Sequence, residues 1–334
     1  MKRKIMPHKI ILIAVVVSLV IVQSCQSILN LFGGGRGETV SWDEGLTTGV
    51  TRITNDGLHK NWVRVSPDGT KLLYTEASRT GNWTIVYLRD ANNPIKTPLI
   101  GEIAYSPSWY EDNTRFVYIS YEGGSGRLVR SSISGGGKTY ISRSAIGESD
   151  DTPIIRNGKI ICSTWHANQW QIVSINENGT EPTFLGEGRS PSWHPTEDKI
   201  AFIKNLDDRS NSGGDIYEMD LRSGQVTQIY SDPNGLCYSP SFSSDGRRIL
   251  FTKQTGVRRT GTTSTFGRTD RRAISYETIR THVFVMNADG TNVSSLSGGT
   301  GSVSSPCWGR SGEIFCLVGI AGKPREIYKL RIRN

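Results

Sequence analysis

From about residue 49 to the C-terminus, short apolar runs alternate with polar turns, and the apolar positions recur every second residue. Asp215-Ile216-Tyr217-Glu218-Met219-Asp220 followed by Gln225-Val226-Thr227-Gln228-Ile229 shows the pattern most clearly, with Ser223-Gly224 at the turn between them. Alternation of this period predicts strands, and a tight polar turn between two such runs predicts a hairpin. Runs starting at Trp83, Arg127, Trp170 and Thr281 repeat the arrangement. Helical periodicity is hard to find.

A second pattern precedes each of these runs. It has a Ser-Pro or Thr-Pro element or its remnant, a bulky residue, a polar turn and an apolar strand. Its six copies start at Val63, Ser106, Thr152, Ser190, Ser239 and Ser305. Their bulky anchors are Val65, Trp109, Ile155, Trp193, Phe242 and Trp308. The combined unit is four strands in about 40–45 residues, the size of one propeller blade. The sixth copy stops at its third strand, Arg325 to Ile332, and residues 49–54 form an unassigned strand at the other end of the repeat. The prediction is an all-β, six-bladed propeller of four-stranded antiparallel blades, in which the N-terminal strand completes the last blade and removes a free edge.

Composition changes the picture chiefly at the N-terminus. The net charge of +8 is concentrated in Lys2, Arg3, Lys4 and Lys9 and in the stretch 253–272, so the remainder is near neutral. A nucleic-acid partner calls for a basic face across the fold, and none is predicted. The basic start, the apolar run 10–22 and a small residue before Cys25 describe a secretory signal, too short to span a bilayer. The expected organisation is a signal peptide at 1–24, a flexible Gly-rich linker at 25–48 and a propeller at 49–334.

Val22-Gln23-Ser24-Cys25 resembles the lipobox of bacterial lipoproteins, with Gln23 departing from the usual small or apolar residue. The resemblance implies lipid attachment at Cys25, stable membrane anchoring, and a domain facing the periplasm. Gln26, where an Asp would favour inner-membrane retention, points to the outer membrane. The Ser-Pro-Ser-Trp and Ser-Pro-Asp-Gly elements resemble the propeller repeat of TolB and related WD-like propellers over residues 49–334. TolB also has an α/β domain before its propeller, for which residues 25–48 leave no room. The resemblance implies a non-catalytic scaffold whose partners are envelope proteins, such as a peptidoglycan-associated lipoprotein.

Catalytic chemistry is not evident. There is no Gly-x-Ser-x-Gly elbow, and His59, His166, His194 and His282 show no metal-ligand spacing. His194 stands where other copies have Ser66 and Ser243, which assigns it to a turn. No catalytic residue, metal or cofactor is expected. The alternative is a glycan-binding or lyase-like propeller. The run 207–215 carries oxygen ligands suited to calcium but reads as a hairpin loop. Cys162 and Cys316 occupy the repeat position of Phe202 and Phe251, as buried apolar groups. Cys307 and Cys316 could instead face each other across a hairpin and form a disulfide.

Two partner sites are expected. Four positions before each anchor stand Asn61, Tyr105, Asp151, Arg189, Tyr238 and Ser304, a polar and aromatic ring at the channel mouth. The insertion 253–280, with Arg258, Arg259, Arg271 and Arg272, offers a secondary electrostatic contact.

Overall fold

The computed structural model describes residues 39–77, 83–90, 95–135, 137–142, 146–204, 213–255 and 280–333. They form six four-stranded antiparallel sheets. Blade 1 is Lys60–Val65, Lys71–Ala77, Trp83–Asp90 and Lys96–Ile100. Blade 2 is Ala104–Trp109, Arg115–Ser120, Arg127–Ser132 and Thr139–Tyr140. Blade 3 is Ser149–Arg156, Lys159–His166, Gln169–Asn176 and Thr183–Glu187. Blade 4 is Arg189–Trp193, Lys199–Lys204, Asp215–Asp220 and Val226–Tyr230. Blade 5 is Gly235–Phe242, Arg248–Thr255, Arg280–Asn287 and Ser294–Ser295. Blade 6 is Ser302–Trp308, Glu313–Gly319 and Glu326–Ile332, completed by Thr47–Arg52 from the N-terminal side. The first strand of each blade contacts the first strand of the next, and that of blade 6 contacts that of blade 1, so the ring closes as expected.

The second strands carry apolar residues at consecutive positions because both their faces are covered. Leu73 of blade 1 packs on Ala104, Trp109 and Phe116 of blade 2, whereas its neighbours Leu72 and Tyr74 pack on Phe315 and Leu317 of blade 6. Each of the six seams holds one such cluster, so strand alternation is spent on two neighbouring blades rather than on core and solvent. Tyr74, Tyr118, Cys162, Phe202, Phe251 and Cys316 share one repeat position, and all are fully buried.

The anchors end each inner hairpin. Val65 pairs with Leu72, Trp109 with Phe116, Ile155 with Ile160, Trp193 with Ile200, Phe242 with Ile249 and Trp308 with Ile314. Two of the indoles also bind the preceding blade: Trp109 Nε1 donates to the Arg64 carbonyl at 3.2 Å and Trp308 Nε1 to the Ser241 carbonyl at 3.1 Å. The turn after the anchor is closed by a side chain. The Lys71 and Arg248 amides donate to Ser66 Oγ and Ser243 Oγ, each at 2.9 Å. His194 does the same work with its ring, Nδ1 accepting from the Glu197 amide at 3.0 Å.

One expectation is corrected, and between the two readings of the cysteines the structure has the buried free thiols. The expected linker 25–48 overlaps the folded body, because Val40–Trp42 pairs with Ser297–Gly299 and Thr47 already belongs to the closing strand. Val40 and Trp42 pack into the seam between blades 5 and 6, a contact that a three-residue strand does not announce by periodicity. Cys307 and Cys316 form no disulfide, and Cys162, Cys237, Cys307 and Cys316 are all free. Cys307 lies opposite Phe315, not Cys316, and the two thiols enter the clusters on opposite faces of blade 6. The leader, Cys25, residues 207–212 of the expected ion-binding run, and Arg258, Arg259, Arg271 and Arg272 lie outside the described residues.

Candidate partner-binding site at the channel mouth

All six inner strands break register at the same place. The ladder is interrupted after Asn61, Tyr105, Asp151, Arg189, Tyr238 and Ser304, and resumes at Arg64, Ser108, Ile154, Ser192, Ser241 and Cys307. The residue after each break has a left-handed backbone: Trp62, Ser106, Thr152, Ser190, Ser239 and Ser305 have φ between 45° and 55°. Such values are uncommon for residues with a Cβ, and their sixfold recurrence marks a bulge built into the repeat. Proline follows in blades 2 to 6. It cannot donate to a ladder, so within a sheet it is confined to edges and bulges. The six positions expected at the channel mouth are thus the last ladder pairs before the bulge, where a strand re-aims its side chains.

The bulges bring blades 1 to 4 into one polar and aromatic cluster. The rings of Trp62 and Tyr105 meet edge to face at 5.1 Å, and those of Tyr105 and Tyr121 at 5.3 Å. Ser106 Oγ donates to Asp151 Oδ1 at 3.1 Å, and the Thr152 amide donates to the same oxygen at 2.7 Å. Arg189 Nη2 donates to Asp151 Oδ2, an ion pair across the seam between blades 3 and 4. The Arg189 guanidinium also lies 4.2 Å from the centre of the Trp170 ring, a cation–π arrangement. The side chains of Arg189 and Asp151 are 13% and 12% exposed, so the pair is largely desolvated. Burial pushes the Tyr121 hydroxyl well above its usual range, and the Asp151 charge adds to this, while a hydrogen bond with Ser149 opposes it. Tyr121 is therefore a neutral hydrogen-bonding group at physiological pH.

The other expected positions make contacts within their own blades. Tyr238 donates its hydroxyl to Gln254 Oε1 of its own blade, and any side chain at Gly213 would collide with the Tyr238 ring. Asn61 is buried, and its carbonyl accepts from Thr75 Oγ1 at 3.2 Å. Ser304 lies in register with Leu317. Of the six expected positions, the structure brings Tyr105, Asp151 and Arg189 together, and it adds Trp62, Ser106, Tyr121 and Trp170, which no sequence pattern assigned to the site. Ser106 was visible in its motif: a proline inside a strand pattern signals a bulge, and the serine before it is the bulged residue. Among the described residues, no three His, Cys, Asp or Glu side chains are grouped so as to hold a metal ion.

No protein-family model matches the chain. Among solved structures it is similar to a putative TolB from Agrobacterium tumefaciens, at 15% identity and a TM-score of 0.57, over 89% of this chain and 99% of that one. It is also similar to TolB from Acinetobacter baumannii, at 17% identity and a TM-score of 0.59, over 77% of this chain and 59% of that longer one. An oligogalacturonate lyase in complex with manganese matches at 14% identity and a TM-score of 0.52, over 91% of this chain and 99% of the lyase. At these identities the likeness is one of fold, and it defines a TolB-like six-bladed β-propeller. The fold hosts binding proteins and enzymes alike, so function has to be argued from the site.

Proposed function

We propose that this chain is a non-catalytic, lipid-anchored scaffold of the bacterial cell envelope, which docks a partner protein on the channel mouth of blades 1 to 4. The reading rests on one observation: Trp62 and Tyr105 at the bulges of two inner strands, with Tyr121 just after a second strand, form a cluster with the Arg189–Asp151 pair. Aromatic and Arg side chains carry most of the energy of protein interfaces, and truncating a hot spot costs about 2 kcal/mol or more. Cys25 is the site of lipid attachment, holding the propeller at the outer membrane on its periplasmic side. The partner is an envelope protein, such as a peptidoglycan-associated lipoprotein.

Crosslinked pull-down from intact envelopes tests this with two variants, Trp62→Ala/Tyr105→Ala and a loop with Arg258, Arg259, Arg271 and Arg272 changed to Gln. The first variant should lose the partner while staying folded. Normal capture by the first and failure of the second would move the docking element to the insertion. Palmitate labelling of wild type but not of Cys25→Ala tests the anchor.

The fold shared with an oligogalacturonate lyase favours a second reading, a glycan-binding or lyase-like propeller. Aromatic rings beside an Arg–Asp pair suit an acidic sugar as well as a protein. Saturable binding of oligogalacturonate that Arg189→Gln abolishes would support this reading against the first.

A further inference from the structure

Beyond the bulges, the six inner strands line an open hollow of about 220 Å³, to which all six blades contribute residues. That is room for about seven water molecules, or for one small organic molecule. The first ladder position after each bulge forms a ring around it: Arg64, Ser108, Ile154, Ser192, Ser241 and Cys307. The ring holds one formal charge, and it is positive. Among the described residues, no carboxylate lies within ion-pair distance of Arg64, and its guanidinium makes one hydrogen bond, from Nη1 to the carbonyl of its neighbour Val63, at 3.0 Å.

The surroundings sharpen this imbalance. Burial disfavours the charged form of Arg64, and a thiolate at Cys307 would oppose this, but burial pushes that thiol up and keeps it protonated. Arginine does not give up its proton in proteins, so Arg64 presents charged, forked donors at the lining of the hollow, one of which already has a backbone acceptor. Ser192 Oγ accepts from the Phe242 amide at 3.2 Å, which leaves its own hydrogen free to donate. Pro191, Pro240 and Pro306 supply apolar walls and have no backbone donors of their own.

We propose that this cavity binds a small organic carboxylate with an apolar body, its carboxylate held by Arg64 and the serine hydroxyls and its carbon chain lying against the proline and indole walls. A few convergent polar groups beside apolar walls in one concavity are the usual makings of a small-molecule site. The cavity lies on the far side of the bulges from the channel-mouth cluster, so this site stands or falls independently of partner docking there.

The test uses the full chain in mild detergent at constant ionic strength, with hexanoate as probe, hexanol as its uncharged counterpart and phosphate as a charged probe without an apolar body. Binding is followed by ligand-observed NMR and by the shift in melting temperature. Hexanoate should bind saturably below about 50 mM, as expected for so small a ligand, and more tightly than hexanol or phosphate. Arg64→Gln should weaken hexanoate binding about tenfold or more, the loss of a charged hydrogen-bonded contact. If that variant does not fold, Arg64→Lys, which keeps the charge but loses the fork, should still weaken binding measurably. Unchanged affinity in the folded variant, no binding to wild type at about 50 mM, or equal affinity for hexanol or phosphate would each overturn the assignment.

Discussion

The ammonium of Lys60, fully buried at the head of the first inner strand, lies 3.0 Å from Oε2 of Glu76, which is itself 2% exposed. The pair forms part of a network on the closing seam. Lys60 also donates to Asp56 and to the Leu58 carbonyl. Lys96 Nζ sits 2.6 Å from Glu76 and 2.8 Å from Asp56. Burial would raise the Asp56 carboxyl, but hydrogen bonds from Lys60 and Lys96 outweigh it and hold it well below the usual range. Removing one partner leaves buried charge uncompensated. Lys60→Met should therefore destabilise the propeller by about 3 kcal/mol in urea unfolding, and Lys60→Met/Glu76→Leu should recover part of that loss. A single variant as stable as wild type would show that the network is not integral to closure.

Thr54 is the hinge pin of the closing strand. It is fully buried, and its Oγ1 accepts from the Ile327 amide at 2.9 Å and donates to Glu326, which Arg52 also reaches at 3.1 Å. Thr54→Val keeps the shape and removes both bonds, leaving a buried amide and carboxylate short of partners. The expected cost is about 1–3 kcal/mol, together with faster hydrogen exchange at the Ile327 amide. Unaltered exchange there would contradict this role.

Asp150 should make stability pH-dependent. It is fully buried, and Ser142 Oγ and Thr164 Oγ1 donate to its two oxygens at 2.8 and 2.9 Å. Burial pushes its carboxyl up despite those bonds and the Arg127 charge. A carboxyl raised by folding binds its proton better in the native state, so its cost is absent below the unfolded value of about 3.9 and grows as pH rises through the folded one. Asp150→Asn should raise the melting temperature at pH 7, and the gain should shrink toward pH 3. A gain that is constant across this range would exclude the ionisation as its source.

Cysteine chemistry should be silent in the native state. Burial raises the Cys162, Cys307 and Cys316 thiols, and Cys237 is fully buried as well. Since the thiolate is the reactive form, these four should resist iodoacetamide at pH 8 and react fully in denaturant. Rapid native labelling at any of them would mean that a blade seam opens.

The contrast between Trp109 and Trp62 shows what could be read in advance. Trp109 repeats at a fixed offset from Ser-Pro in copy after copy, so its burial, its blade and the number of blades followed from the chain alone. The same holds for the closing strand, whose partner was the one third strand left without a fourth. Local periodicity and repetition report on contacts within a blade, because those are set by hydrogen bonding between neighbouring segments. Trp62 occupies the left-handed position that Ser106, Thr152, Ser190, Ser239 and Ser305 hold elsewhere, and no spacing rule links it to Tyr105 of the next blade or Asp151 to Arg189. Those meetings, like the isolation of Arg64 among serines and prolines, arise only when six bulged strands are brought around one axis. Contacts across seams depend on ring closure, and a one-dimensional pattern carries no record of which side chains that closure sets face to face.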